Sequence, residues 1–252
     1  MVVQLDNDIW FPDPRKGEED GLFAIGGDLS VDRLSLAYSN GIFPWYSYRP
    51  EDNSYLPSSF LNPDGTPQIR WYCPMQRFVI FPHEIHISHS MRTLLGKELY
   101  EVTVGKAFEE VIHQCGALRI HEEGAWLGPH IEAAYAELYR QKMASSVEVW
   151  DREGGLVGGL YGVVMGRCFI GESMFSLVPS ASKIALIYLA CLMQDCPGSL
   201  IDCQLETPHL RSMGGRFISY DEYMEYFRSV PAFLKDSSFK ETIPPLPNRT
   251  YL

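Results

Sequence analysis

Residues 156–176 read LVGGLYGVVMGRCFIGESMFS, and this stretch decides the fold. Apolar side chains recur along it with the period of two that is typical of β-strands. We therefore predict successive strands over residues 156–165 and 167–172, with Met165 and Gly166 supplying the turn between them. Strands joined by so short a turn are antiparallel neighbours.

The flanking sequence extends this unit on both sides. Residues 146–150 predict a preceding strand, and residues 184–193 are apolar on nearly every face, which predicts a buried helix. Residues 200–205 predict a further strand. Helical spacing of apolar side chains also indicates amphipathic helices over 107–115 and 131–139. Antiparallel strands followed by a buried helix and another strand indicate an α+β fold.

The N-terminal part of the chain has a different character. Ser30 has the features of a helix N-cap, and the helix that follows is short. Residues 49–69 are polar and rich in Pro, which predicts a long surface loop. We place a domain boundary just after this loop, which gives a small domain over 1–75 and a larger one over 76–252.

Composition bounds the class of protein without identifying it. Hydrophobic residues make up 46% of the 252 residues and charged residues 21%, as in ordinary globular proteins. We expect neither a signal peptide nor a membrane span. The six cysteines contain no CxxC pair, so we expect reduced thiols and a cytoplasmic location. The net charge of −11 argues against binding of nucleic acid through a basic surface that covers the whole protein. It leaves room for a local basic patch and suits a cationic partner.

Polar side chains in unusual places give the first candidates for chemistry. Glu172 is predicted to end an apolar strand, where a buried carboxylate needs a partner. Asp202 and Gln204 alternate on one face of their strand, and Cys203 points to the opposite face. Together they could orient an amine and stabilise developing charge. A helix cap and a water-facing sheet edge explain the same pattern about equally well.

Aromatic residues beside glycine-rich turns form a second group of candidates. Trp45 lies in GIFPWY, Trp71 precedes Tyr72, and Trp126 lies in GAWL. Such side chains can stack on nucleic-acid bases, although tryptophan and tyrosine are more often part of the core.

Several other patterns argue against alternative chemistries. His83, His86 and His89 are spaced so that successive residues face opposite sides of a strand, and nothing nearby completes a tetrahedral set, so we expect no metal site. The segment GESMF resembles a nucleophile elbow but lacks the second glycine.

Six stretches of the sequence together resemble one family. They are GLFAIGGDLS, RLSLAYSNGIFPWYS, SVEVW, LVGGLYGVVMGRCFIGESMFS, ASKIAL and LIDCQ. In this order they resemble the leucyl/phenylalanyl-tRNA–protein transferase family of the bacterial N-end rule pathway. The resemblance implies a small N-terminal domain and a larger acetyltransferase-like (GNAT-type) C-terminal domain. It also implies transfer of Leu or Phe, and by extension Met, from aminoacyl-tRNA to proteins that begin with Arg or Lys, without a metal or cofactor.

The resemblance further implies roles for individual residues. Glu172, Asp202 and Gln204 fall on the family's implicated active-site positions, and Trp45 and Trp126 fall on positions that stack the terminal adenosine. The donor side chain is expected to lie among six apolar residues. Leu160, Phe169 and Met174 lie at strand positions that resemble the family's pocket wall, and helical spacing places Leu186, Leu189 and Met193 on one helix face. Independently of the resemblance, the net charge of −11 means that contact with tRNA phosphates should depend on a few local cations, for which the candidates are Lys183, Arg77 and Arg92.

The chemistry of the reaction agrees with this interpretation and leaves alternatives open. An aminoacyl ester is already activated, so the enzyme needs mainly to position an α-amine of pKa near 8, remove a proton and stabilise an oxyanion. Asp202 could be the base, or the ribose hydroxyl could assist. The rivals are a tRNA- or peptide-binding module without catalysis and an acetyl-CoA-dependent acetyltransferase, which needs a glycine-rich pyrophosphate site that residues 174–183 lack.

Overall fold

A computed structural model describes residues 2–45, 61–62, 65, 67–118, 128–226 and 242–243. Over these residues the chain forms a smaller, N-terminal sheet and a larger, C-terminal sheet, with α-helices packed against them. The α+β class and the two-part organisation predicted from the sequence are confirmed.

The smaller sheet contains β1 (Val3–Leu5), β2 (Leu22–Gly26), β3 (Phe43–Trp45) and β4 (Arg70–Tyr72). Their order is β1-β2-β4-β3. Helix α1 (Val31–Ser39) begins at the predicted cap, where the Oγ of Ser30 accepts a hydrogen bond from the backbone N–H of Arg33 at 3.3 Å. After α1, Gly41 adopts a φ of +69°, which favours glycine and turns the chain into β3.

The larger sheet contains the remaining strands: β5 (Gln76–Ile80), β6 (Glu101–Val104), β7 (Ala144–Trp150), β8 (Leu156–Met165), β9 (Cys168–Ser176), β10 (Leu200–Asp202), β11 (Arg216–Ser219) and β12 (Thr242–Ile243). Their order is β11-β5-β10-β9-β8-β7-β6-β12. Within the described residues, every pair of neighbouring strands in this sheet is antiparallel except β9 with β10, which is parallel. The larger sheet is therefore mostly antiparallel, with one parallel pair near its middle.

Helices cover both faces of the larger sheet. They are α2 (His89–Leu95), α3 (Phe108–Ala117), α4 (Pro129–Arg140), α5 (Ala181–Gln194), α6 (Pro208–Ser212) and α7 (Tyr220–Glu225). The long helix α5 connects the parallel strands β9 and β10. It packs so closely on β8 that a Cβ atom at Gly158 would lie 2.3 Å from the Cβ of Ala181. Glycine at this position therefore permits the helix to cover the sheet.

A β-bulge in β9 changes the direction of the Glu172 side chain. Tyr161 of β8 pairs with Ser173, whereas the next residue, Gly162, pairs with Gly171. Glu172 is consequently the extra residue, with no partner across the ladder. Bulges of this kind re-aim a side chain and occur often beside active sites.

The bulge also changes which side chains share a face. Ile170 and Phe175 are five residues apart, yet both belong to the same core cluster. In a regular strand they would face opposite sides of the sheet. The strand continues to Ser176, so the expectation that Glu172 ends it is wrong.

The two sheets share a core. The smaller sheet ends at Tyr72 and the larger begins at Gln76, on either side of the expected boundary. One hydrophobic cluster nevertheless includes Trp71 from the first part and Tyr135 from the second. We keep 1–75 and 76–252 as proposed domains that pack together closely. Within the described part of the chain, no helix has both the length and the apolar character needed to cross a bilayer.

Candidate active site

A cavity of about 220 Å³ lies where β9 and β10 separate. The parallel pairing of these strands ends at the Ile170–Asp202 pair, after which β9 continues alongside β8. Residues of β3 form part of the wall, so both sheets contribute to the cavity. Its volume is below the roughly 300–1,000 Å³ typical of sites for drug-sized ligands, and it suits a group the size of an amino acid.

One end of the cavity is apolar. Five of the six expected donor-pocket residues line it: Leu160, Phe169, Met174, Leu186 and Leu189. Met193 is not among the lining residues, because it lies one helical turn beyond Leu189 and is 0% exposed in the core beneath the sheet. The expectation that Met193 contacts the donor side chain is therefore wrong.

The apolar lining residues belong mainly to the core cluster beneath α5, whereas Glu172 contacts Tyr38 and Tyr135 of the other core cluster and so marks the opposite end of the cavity. Glu172 is only 8% exposed. Its Oε1 accepts hydrogen bonds from the hydroxyl of Tyr38 at 2.8 Å and from Nε2 of Gln204 at 3.1 Å. Its Oε2 accepts one from the hydroxyl of Tyr135 at 2.9 Å. The two tyrosine hydroxyls also contact each other. Three donors, from α1, α4 and the turn after β10, thus hold one carboxylate at the cavity wall.

Burial changes the acidity of this group. It raises the pKa of Glu172 from 4.5 to about 7, against the hydrogen bonds from Tyr38 and Tyr135, which lower that pKa. Burial and the charge of Glu172 raise the pKa of both tyrosines well above their ordinary value. At neutral pH the tyrosines therefore stay neutral donors, and the carboxyl group titrates in the range suited to a general base.

Gln204 reaches Glu172 from a strained turn after β10. Its φ of +60° lies in the left-handed region, which costs a non-glycine residue on the order of 1 kcal/mol. The backbone N–H of Leu205 donates to the carbonyl of Cys203 at 2.6 Å and closes a tight turn around Gln204. Because β10 ends at Asp202, strand alternation does not extend to Gln204, and the expectation that both side chains share a strand face is wrong.

Asp202 lies in a buried ion-pair network beneath this turn. Both of its carboxylate oxygens lie 3.0 Å from Nε of Arg77. Oδ2 also accepts a hydrogen bond from the hydroxyl of Tyr223 at 2.6 Å, and Oδ1 accepts one from the backbone N–H of Gln204 at 2.7 Å. Although Asp202 borders the cavity, its side chain is 0% exposed. Its carboxylate therefore has no open surface from which to contact an amine.

The same network corrects the expectation for Arg77. Its side chain is 1% exposed, and its guanidinium lies between the rings of Phe43 and Tyr223, 4.8 Å and 4.7 Å from the ring centroids. Desolvation lowers the pKa of Arg77, but the charge of Asp202 together with the contributions of Tyr223 and Cys73 outweighs it, so that the pKa lies above its ordinary value. A buried, paired guanidinium cannot contact a tRNA phosphate, so this expectation is wrong.

The remaining expected contacts lie around or outside the cavity. Trp45 lines the cavity beside Pro44. Trp126 lies outside the described residues. Neither Lys183 nor Arg92 lines the cavity, and both stay candidates for contact with more distant phosphates.

Three tyrosines that contact the candidate carboxylates were not identified as site residues from the sequence. Tyr38 lies in the short helix predicted after Ser30 and Tyr135 in the helix predicted over 131–139. Both are buried, and their hydroxyls contact Glu172 from helices α1 and α4. Tyr223, from α7, contacts Asp202. A buried tyrosine hydroxyl needs a hydrogen-bond partner, which signals a nearby polar group without identifying it.

Metal binding finds no obvious position in the part of the chain that the structure describes. There, no three His, Cys, Asp or Glu side chains gather in a way that could hold an ion. Cys203 also lines the cavity, but burial raises the pKa of its thiol, which makes it a poor nucleophile near neutral pH.

Comparison with known proteins identifies the family of the chain. Residues 79–228 match the family model described as "Leucyl/phenylalanyl-tRNA protein transferase", and residues 27–56 match the model for the N-terminal domain of the same family. The first segment contains Glu172 and Gln204, and the second contains Trp45. The chain is thus an aminoacyltransferase, an enzyme that transfers an amino acid from one carrier to an acceptor.

The relatives define the family. A protein named leucyl/phenylalanyl-tRNA–protein transferase from Syntrophus aciditrophicus is 45% identical over 228 residues, covering 90% of this chain and 88% of its own. One from Syntrophobacter fumaroxidans is 44% identical over 241 residues, covering 95% of both. One from Flavobacterium johnsoniae is 43% identical and covers 90% of this chain and 100% of its own. The chain belongs to the leucyl/phenylalanyl-tRNA–protein transferase family.

Similarity to solved structures is more distant. The structure of L-PGS from Bacillus licheniformis gives a TM-score of 0.38 at 12% identity and covers 74% of this chain and 54% of its own. The structure of a conserved protein from Bacteroides thetaiotaomicron gives a TM-score of 0.40 at 10% identity, and the match covers 82% of this chain and 66% of that protein. The assignment to a family therefore rests on the sequence relatives.

Proposed function

We propose that the protein transfers Leu or Phe from aminoacyl-tRNA to the N-terminal amine of proteins that begin with Arg or Lys, marking them for degradation by the N-end rule pathway. The observation that carries this proposal is a cavity that is apolar at one end and has Glu172 and Gln204 at the other, in a chain of this family. Met, which is also apolar and unbranched at Cβ, is a further proposed donor.

The donor side chain would occupy the apolar end. Leu186 and Leu189 lie one turn apart on α5, and Leu160 and Met174 approach from paired positions on β8 and β9. Such a wall accepts a side chain that is narrow at Cβ and broad further out. The Cβ branch of Val or Ile would need width at the mouth, so discrimination of about 1–3 kcal/mol is expected.

Peptide-bond formation needs few groups because the ester is activated. The acceptor nitrogen attacks the ester carbonyl, the bond to the ribose oxygen breaks, and one proton moves from the amine to that oxygen. We assign Glu172 as the group that accepts the amine proton, since its carboxylate faces the cavity and its pKa of about 7 suits the role. The ribose oxygen receives its proton from Glu172 or through the adjacent 2′-hydroxyl.

Gln204 and Asp202 have different proposed roles. Gln204 uses one N–H of its amide for Glu172, and its second N–H is available to stabilise the developing oxyanion. Asp202 has no open surface, so we propose that it acts through the Gln204 turn. In this proposal Glu172 is the base in place of Asp202, and Asp202 is essential because it positions Gln204.

Substrate recognition would depend on charge in two ways. A cationic N-terminal residue suits a protein of net charge −11 and a cavity with a carboxylate at its end. The tRNA would stack its terminal base on Trp45 and Trp126 and contact Lys183 and Arg92 through phosphates. Because charged tRNAs are used in the cytoplasm, we place the reaction there.

A transfer assay tests the proposal. Labelled leucyl-tRNA is mixed with the protein and a peptide that begins with Arg, and label on the peptide is followed. The matched control peptide differs only by Ala at its first position, and a second control replaces leucyl-tRNA by labelled acetyl-CoA. Transfer from leucyl-tRNA to the Arg peptide alone supports the proposal, whereas acetylation without aminoacyl transfer, or tRNA binding without transfer, contradicts it.

A further inference from the structure

We propose that Arg77 and Tyr223 are positioning residues, which hold the Gln204 turn and strand β3 in a fixed relation across the cavity. The proposal rests on the proposed function, because the reaction that they position is aminoacyl transfer. Arg77 belongs to β5 and Tyr223 to α7, and neither residue lines the cavity. Each would act only through the residues that it holds.

The guanidinium of Arg77 connects two walls of the cavity. Its Nε contacts the Asp202 carboxylate at 3.0 Å, and its Nη2 donates to the carbonyl of Gly41 at 2.9 Å. One face of the same group lies over the ring of Phe43. A planar guanidinium presents its donors in a rigid fork, so it fixes the separation of Asp202 and Gly41 in a way that a lysine could not.

Stability alone does not explain such a pair. Replacing a fully buried ion pair by apolar side chains is often neutral or stabilising, because desolvation offsets the attraction between the charges. Both Arg77 and Asp202 are essentially unexposed, and the hydroxyl of Tyr223 satisfies a further lone pair of Asp202. The geometry therefore points to control of conformation as the reason for the network.

On one side, the network maintains a strained backbone. Asp202 Oδ1 accepts the backbone N–H of Gln204 at 2.7 Å, which compensates for the left-handed φ of +60° at that residue. Without a fixed Asp202 carboxylate, Gln204 would relax to an ordinary φ and its amide would leave Glu172. The consequence would be a slower chemical step.

On the other side, the network fixes the start of β3. Gly41 precedes Phe43, Pro44 and Trp45, all of which line the cavity. The Tyr220 hydroxyl supports the same turn by donating to the carbonyl of Asn40 at 3.0 Å. Loss of the Arg77 contact would loosen the wall on which we place the terminal adenosine, and binding of charged tRNA would weaken.

Two variants and a matched control separate these effects. Arg77→Lys keeps the charge but loses the fork, so we expect kcat to fall roughly 100-fold and KM for charged tRNA to rise several-fold. Tyr223→Phe removes the hydroxyl that donates to Asp202 and accepts from Nη2 of Arg77 at 3.4 Å, so we expect kcat to fall about tenfold with KM unchanged. The control is Arg33→Lys, at another unexposed arginine, which is paired with Asp28 at 3.2 Å. With rates corrected for the folded fraction, the control should keep both constants within about twofold.

Hydrogen exchange at the Gln204 backbone amide provides a readout that does not depend on activity. We expect faster exchange of this amide in Arg77→Lys and Tyr223→Phe, and no change in Arg33→Lys. If the Arg77 and Tyr223 variants match the control in kcat, KM and exchange, the positioning role is wrong. If the unmodified protein transfers nothing, the proposed function fails, and the exchange data still decide whether the network holds the turn.

Discussion

The amide Nε2 of Gln204 lies 3.1 Å from Oε1 of Glu172. This hydrogen bond joins the turn after β10 to strand β9, at the place where β9 and β10 separate. Gln204 follows β10, and Glu172 is the bulged residue of β9. Each residue has an irregular backbone, and together they form the polar end of the cavity. The irregularities are thus located where the proposed chemistry takes place, as expected of functional sites.

Replacing Glu172 by Gln should remove a proton acceptor and keep the shape of the site. We expect kcat to fall roughly 10²–10⁴-fold, the range for loss of a general base. In the unmodified protein, the rate should rise with pH through about 7 as Glu172 ionises, and the neutral fraction of the acceptor amine should add a second rise near pH 8. The variant should keep only the rise that belongs to the amine, measured in single-turnover assays from about pH 6 to 9. An unchanged pH profile in the variant would assign the proton to another group.

The same substitution should change how stability depends on pH. The folded-state pKa of Glu172 is raised, so its contribution to stability is fully present below about pH 4.5 and is lost as pH rises to about 7. Relative to Glu172→Gln, the unmodified protein should lose roughly 2–3 kcal/mol of unfolding free energy between about pH 5 and 8. Urea unfolding of both proteins at each pH measures this difference. A constant difference between the two proteins would mean that the carboxyl group is not perturbed by burial.

Trp45→Ala should weaken use of charged tRNA without unfolding the protein. Stacking of one base contributes about 1–3 kcal/mol, so KM for leucyl-tRNA should rise by roughly 10- to 100-fold. Trp10→Ala is the matched control, because Trp10 is 38% exposed and does not line the cavity. Thermal unfolding should be followed in parallel for both variants. If Trp45→Ala instead lowers stability strongly and leaves KM unchanged on the folded fraction, Trp45 is a packing residue only.

The sequence predicted regular elements well, because their periodicity is local. Strand β8 and helix α5 lie where alternation and an all-round apolar run indicated them, and α1 begins at its predicted cap, Ser30. The bulge at Glu172 depends on the partner strand, where a Cβ atom at Gly162 would lie 2.2 Å from the carbonyl of Ile170. No pattern within β9 alone contains that information.

Residues that act through distant partners were the least predictable. Arg77 was predicted to contact a tRNA phosphate, which needs an exposed cation, and arginine is rarely buried in proteins. Its partner, Asp202, is 125 positions further along the chain. Gln204 does lie beside Glu172 as the sequence suggested, but a tight turn brings it there and strand alternation does not.

The apolar end of the cavity should determine which amino acid is transferred. Leu189→Ala widens the wall, so we expect transfer of Leu to fall by tenfold or more relative to Phe, by analogy with the roughly 10–200-fold effect of one methylene. Met193→Ala is the matched control on the same helix, since Met193 is buried but does not line the cavity. It should lose about 2–5 kcal/mol of stability and keep the Leu/Phe ratio. Competition between the two charged tRNAs measures this ratio. An equal change of the Leu/Phe ratio in both variants would contradict the assignment of Leu189 to the donor pocket.

The Asp202–Arg77 pair allows stability and catalysis to be separated. Asp202→Leu alone leaves the Arg77 charge buried without a partner and should cost about 3–5 kcal/mol of unfolding free energy. Combining Asp202→Leu with Arg77→Met removes both charges and should return stability close to that of the unmodified protein, because apolar replacement of a buried pair is often neutral. Transfer should stay low in both variants, since the Gln204 backbone N–H has lost its acceptor in each. Urea unfolding measures the stability of each variant, and single-turnover transfer on the same preparations measures its activity. Recovery of activity together with stability in the double variant would show that the pair serves only the fold, and the positioning role of Asp202 would be wrong.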